Sequence, residues 1–97
     1  MPEGRQSKVY PHLRDFQHLV IGRRYRVVMS FTDYDRGEHP VGEEWIFEGH
    51  SFLPYDDGLS LFVAYDDGRT QQIRMRWAPE DQGPVIDGLR NYIRKAQ

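Results

Sequence analysis

The side chains of this chain that could do chemistry are carboxylates set in turns, four histidines and a group of arginines, and spacing decides what each can do. Asp33-x-Asp35-x-Gly37, with Glu44 at the twelfth position, has the outline of a calcium-binding EF-hand loop. Such a loop needs a ligand at its fifth position and glycine at its sixth, flanked by helices. Here those positions hold Gly37 and Glu38, and no flanking helices are expected, so an ordinary solvated loop is expected instead. Two copies of Tyr-Asp-Asp-Gly, at 55–58 and 65–68, could pool carboxylates for a metal or for acid–base work. Consecutive hairpin turns fall at opposite ends of a sheet, however, and aspartate with glycine is what tight turns require in any case. A glycosidase-like pair such as Asp57 with Glu43 has no more support than that.

His12, His18, His39 and His50 lack both H-x-x-x-H and H-E-x-x-H spacing, and no cysteine can join them. All four are expected at the surface, with His39 before Pro40 shaping a loop. The serines, Ser7, Ser30, Ser51 and Ser60, lie in no G-x-S-x-G motif, and no glycine-rich phosphate loop is present. The expectation is no catalytic residue, no metal and no cofactor.

A chain of 97 residues with 38% hydrophobic, 13% aromatic and 29% charged residues has the composition of a single globular domain. The absence of cysteine removes disulfides and thiolate zinc sites as sources of stability. A formal net charge of -2 argues against a general nucleic-acid binder. Arg24, Arg26, Arg74 and Arg76, with Phe62, are the arrangement closest to a phosphate-binding face, but Glu44 and Glu48 intervene and the hairpins are acidic, so nucleic acid is disfavoured. The sign of charge is also segregated: six basic against two acidic residues up to Arg26, two against ten from Val27 to Thr70, then five against three. Pairing of the outer strands with the acidic middle ones accounts for this, although a partner-binding asymmetry would look the same. No apolar h-region or membrane-length run is present, and a cytoplasmic location is expected.

The elements that must position these residues follow from periodicity. Residues 1–8 are expected to be disordered and 9–97 to form one domain. Tyr10 to Leu19 has Pro11 at a tolerated first position and apolar residues at helical spacing, which predicts a short helix. Arg23 to Thr32 alternates as a strand with Tyr25, Val27, Met29 and Phe31 on one face, and Asp33 to Gly42 reads as an exposed loop. A second strand carries Trp45 and Phe47 inward until Gly49, which signals a bulge or bend and leaves the facing of Phe52 and Leu53 open. Leu59 to Tyr65 and Thr70 to Trp77 complete the strands, with Trp45 and Trp77 both assigned to the core. Gly83-Pro84 opens a helix over 83–95 whose stripe of Val85, Ile86, Leu89 and Ile93 is expected to cover Val28, Ile46, Phe62 and Ala64 on the outer face. The fold class is mainly β: a small, strongly bent antiparallel sheet or SH3-like barrel of four to five strands with a short N-terminal helix and a C-terminal helix.

The runs Gly22-x-x-Tyr25-Arg26-Val27, Phe31-x-Asp33, His39-Pro40-Val41-Gly42-Glu43-x-Trp45-x-Phe47 and Phe52-Leu53-Pro54-Tyr55-Asp56-Asp57-Gly58-Leu59-x-Leu61-Phe62-Val63 resemble a family of small bacterial proteins known as a domain of unknown function, DUF3601. The similarity runs from about Leu19 to Tyr92. It implies a shared fold, similar to SH3-like barrels, and transfers no activity. The residues themselves favour a non-catalytic module that binds a peptide or protein; a small-molecule-binding or enzymatic domain is the alternative. The candidate binding edge is Tyr55, Asp56 and Asp57 with Phe52 as a wall, because an apolar-aromatic run stiffened by Pro54 directly precedes two carboxylates. A merely well-packed turn would use the same Asp-Gly chemistry.

Overall fold

The computed structural model describes residues 13–96. The expected disordered segment 1–8 and the start of the expected first helix lie outside these residues, as does His12. Seven strands are described: β1 Arg24–Val27, β2 Phe31–Thr32, β3 Glu38–His39, β4 Glu44–Leu53, β5 Gly58–Ala64, β6 Thr70–Arg76 and β7 Ile93–Lys95. Two short helices, α1 Gly83–Asp87 and α2 Leu89–Tyr92, precede β7. Five strands form one antiparallel sheet in the order β6-β5-β4-β1-β7, and β2 pairs with β3 in a separate ribbon. The two edge strands do not pair with each other, so the sheet is open and no barrel closes.

Alternation builds the inner face. Tyr25 and Val27 of β1, Trp45 and Phe47 of β4, Leu59, Leu61 and Val63 of β5, and Ile73 and Met75 of β6 are all buried in one cluster. The intervening residues carry charge outward: Arg26 meets Glu44 at 2.6 Å, and Arg24 meets Asp66 at 2.7 Å. Cross-strand pairing of opposite charges, expected between the outer strands and the acidic middle, is realised at these positions.

Gly49 is a bulge. Phe47 pairs with Val63 but Gly49 pairs with Phe62, so one extra residue enters β4 and the side-chain parity inverts. Beyond it His50 lies opposite Leu61 and Phe52 opposite Leu59, which puts even-numbered residues on the inner side. Gly49 has φ +130, and a Cβ there would stand 2.5 Å from Leu13 Cβ. Both the backbone conformation and the close approach of the N-terminal segment therefore require glycine.

That N-terminal segment is not a helix where it is described. Arg14 bridges to His50, and Phe16 and Leu19 exchange backbone hydrogen bonds of 3.0 and 2.8 Å around a turn in which Gln17 has φ 51. Leu13 and Leu19 are buried as their apolar character demands, but the sheet offers them an extended strap, and these tertiary bonds override local helical preference.

The C-terminal helix is also shorter than 83–95. Gly88, at φ -110 and ψ 34, separates α1 from α2, and Ile93 turns extended to pair with Val27. Glycine weakens helix continuity, and a β-branched residue that can cover the free edge of β1 contributes more as a strand. Ile86, Leu89 and Ile93 join the inner cluster with Trp45 and Phe47. The stripe thus covers the inner face, whereas Val28 of the expected outer target is exposed. The first strand ends at Val27; Val28 and Met29 donate to Tyr92 O, and Met29 is exposed rather than inward. The loop after it contains β3, and its Tyr34 N donates to Arg74 O at the edge of β6.

Leu89→Ala removes a fully buried side chain and is expected to cost about 2–5 kcal/mol in urea unfolding. A loss below about 0.5 kcal/mol would show that α2 does not belong to this core.

Candidate functional site

The two Tyr-Asp-Asp-Gly sequences fold differently. At 65–69, Tyr65 O accepts from Gly68 N with Gly68 at φ +91, a hairpin turn whose glycine takes the left-handed position. At 54–57, Pro54 opens a 3₁₀ turn Pro54–Asp56 and Asp57 itself takes the left-handed conformation at φ 53, leaving Gly58 to start β5. Proline fixes the entry dihedral and aspartate tolerates the exit, so the tip is a stiff structure. Asp57 O accepts from Trp77 N at 2.8 Å, which ties the tip to the end of β6.

This geometry places the expected edge residues unevenly. Tyr55 is 94% exposed, Asp56 is exposed and Asp57 half-buried beside it, and Phe52 is 38% exposed on the inner-face side that the Gly49 bulge selected. Phe52 meets the Trp77 ring edge-on at a centroid distance of 5.8 Å. Trp77 in turn meets Phe16 at 5.9 Å, and Phe16 lies 4.7 Å from the His50 ring. Trp77, assigned to the core from its alternation, is 37% exposed, and its indole N–H donates to Asp87 Oδ1 at 2.9 Å. The strand ends at Arg76, so the phase that buries Ile73 and Met75 carries Trp77 past the rim. Phe16, His50 and Trp77 thus join the rim through the bulge, which leaves no trace in the sequence beyond the glycine.

On the other side of the tip, Leu53 and Asp56 line a groove of about 280 Å³ with Tyr34, Ser60, Gln72 and Arg74. Arg74 also lies over the Tyr34 ring at 5.7 Å and pairs with Asp35 at 3.1 Å. The tip is therefore a wedge with aromatic rings on one side and a mixed groove on the other.

A second constellation was not anticipated. His39 is buried, 2% exposed, between Asp33 and Glu43: Nε2 lies 2.8 Å from Asp33 Oδ2 and Nδ1 lies 2.8 Å from Glu43 Oε2. With both carboxylates ionised, both contacts are hydrogen bonds only when both ring nitrogens carry protons, which favours an imidazolium between them. Asp33 Oδ1 accepts from Asp35 N and Gly37 N, Glu43 Oε2 accepts from the Trp45 indole, and Phe31 stacks on the ring at 4.7 Å. Burial works against the charge on His39, but the hydrogen bonds it donates to Glu43 and Asp33, with the attraction of their charges, outweigh it and hold the group above its ordinary value. The surface position expected for His39 is overturned because pairing with β2 turns it inward. With both nitrogens engaged and the ring buried, the cluster clamps the 33–43 loop. The visible signal was Glu43 four residues after His39, with Trp45 two further on. Among the described residues no group of histidine and carboxylates is arranged to hold a metal ion, and no helix is long and apolar enough to cross a membrane.

A family model described as "Domain of unknown function (DUF3601)" matches residues 3–95. An integron cassette protein from the mobile metagenome of Vibrio cholerae, of solved structure, is 34% identical with a TM-score of 0.85, over 89% of this chain and 96% of that one. No curated protein sequence matches the chain.

A group whose folded value is raised contributes stability that is complete below its unfolded value and is lost as pH rises through the folded one. The contribution of His39 is therefore expected to be full below about pH 6.5 and to decline above it, with a slope no steeper than about 1.4 kcal/mol per pH unit. The difference in unfolding free energy between wild type and His39→Gln, followed from acid to alkaline pH, checks this; a difference that grows with pH would contradict the clamp.

Proposed function

The chain belongs to the DUF3601 family, and from that premise we propose that it is a non-catalytic interaction module whose binding edge is the β4–β5 tip. The observation that carries this reading is Tyr55: an aromatic ring displayed at 94% exposure on a turn stiffened by proline. Burial of such a ring would stabilise the fold, so its display contributes nothing to stability and favours a partner. A rigid tyrosine also loses little conformational entropy on binding.

The neighbours define the ligand class. Phe52, Leu53 and Trp77 are exposed apolar surface, and Asp56, Asp57, Glu80 and Asp87 are acidic residues carried by the tip and by the segments that follow β6. Aromatic rings among carboxylates suit a peptide that combines proline or other apolar residues with arginine or lysine. Asp57 acts mainly through its backbone, leaving Tyr55, Phe52 and Asp56 as the contacting side chains. A cytoplasmic setting and an SH3-like mode of peptide recognition are consistent with this reading. Catalysis finds no support in the buried His39 cluster, whose nitrogens are already bonded.

Titration with short arginine- and proline-containing peptides, read by tryptophan fluorescence, tests the proposal because Trp77 borders the edge. Tyr55→Ala is expected to weaken binding by about tenfold or more while changing unfolding free energy by less than about 0.5 kcal/mol. Unchanged affinity, or loss of stability in step with loss of binding, would make the tip a structural turn.

A further inference from the structure

The opposite edge of the sheet carries a second surface that the tip does not explain. His18, Val20, Arg23, Tyr25, Arg90, Arg94 and Lys95 line a cleft of about 400 Å³ between the N-terminal strap, β1 and β7. It gathers four cationic side chains and no carboxylate from a chain whose net charge is -2.

Five arginines elsewhere among the described residues are handled differently, although Arg36 of the 33–43 loop, like those of the cleft, reaches no carboxylate. Arg24, Arg26, Arg69, Arg74 and Arg76 each reach a carboxylate within 4 Å. Among the described residues, Arg23, Arg90, Arg94 and Lys95 reach none. Bringing like charges together without a counter-charge is unfavourable, and the field in such a cleft concentrates anions. Basic residues from the two ends of the sequence meet here because β1 pairs with β7, a juxtaposition that charge segregation along the chain could not reveal.

The walls are held in place. The Tyr25 hydroxyl accepts from Val20 N at 2.7 Å and donates to His18 O at 3.1 Å, which fixes the strap over β1. Arg94 Nε donates to Arg90 O at 2.8 Å, orienting the guanidinium. His18 Nε2 lies 2.6 Å from Ile93 O and must donate to it, which leaves Nδ1 as the other hydrogen-bonding atom of the ring. That Nδ1 is buried and, among the described residues, without a hydrogen-bond partner. Such an unpaired atom costs stability, so the strap is held against β7 by the Nε2 bond in spite of it.

We propose that this cleft binds the phosphate group of a small phosphorylated molecule. Guanidinium groups match phosphate oxygens geometrically, and their charge is kept across the whole physiological pH range. Val20 supplies an apolar wall for the uncharged part of the ligand, and the volume admits a small molecule. The site is independent of the tip and is unaffected by substitutions there.

Nuclear magnetic resonance titration of the whole chain with pyrophosphate, at roughly physiological ionic strength of about 0.15 M, tests the assignment. The expected result is saturable shifts at His18, Tyr25, Arg90 and Arg94 with one-site behaviour and Kd below about 1 mM. Arg90→Gln with Arg94→Gln, at exposed positions, should weaken this by about tenfold or more with the fold retained in the same spectra. Linear, unsaturated shifts, equal shifts with chloride at matched ionic strength, or binding only to a polynucleotide or an anionic vesicle would each overturn the proposal.

Discussion

One inserted residue in β4 governs how this molecule presents itself. A regular strand through Gly49 would keep odd-numbered residues inward and send His50 and Phe52 to the outer face. The bulge reverses that, and His50 and Phe52 instead meet Phe16 and Trp77 at the rim of the core. The same glycine lets Leu13 approach the backbone, so the N-terminal strap crosses β4 where the parity changes. Strap, aromatic rim and the approach to the β4–β5 tip all depend on that local geometry.

A second constraint acts on the loops. His39, bonded on both sides by Asp33 and Glu43, fixes the start and end of the 33–43 excursion against the core, and Tyr34 N then reaches Arg74 O on the edge of β6. An exposed edge strand invites unwanted pairing, and this loop covers part of it. At the other edge β7 covers β1 and is itself the last strand, and its pairing there brings the C-terminal basic residues beside those of the strap. The two edges are thereby separated in sign, acidic and aromatic around the tip, cationic around the β7 cleft.

Much of the sheet was legible because strands with one buried face announce themselves by alternation. Tyr25 and Val27, Trp45 and Phe47, Leu59 to Val63, and Ile73 with Met75 all lie where period-two spacing places them, and Gly49 is the bulge its position in a strand suggested. What escaped was decided by contacts distant in sequence. Leu13, Phe16 and Leu19 have helical spacing, yet hydrogen bonds to β4 hold the segment extended; Ile93 continues an apolar stripe, yet pairs with Val27. Of the candidate edge, the turn itself was readable from its Asp-Gly chemistry, whereas the display of Tyr55 was not, Phe52 could not be placed without the bulge, and Trp77 looked internal by alternation although its strand ends one residue before it. The His39 cluster was hidden for a related reason: a loop composition rich in aspartate and glycine conceals a two-residue ribbon that turns the histidine inward.

The dependence of the aromatic rim on the bulge can be measured through proton–proton contacts between rings in Gly49→Ala. An alanine Cβ would meet Leu13 and strain the φ +130 backbone, so the strap must shift. The account predicts that the Phe16–His50 and Phe16–Trp77 ring contacts weaken or vanish while the Tyr25–Trp45 contact inside the core persists. Retention of all three at wild-type strength would contradict it.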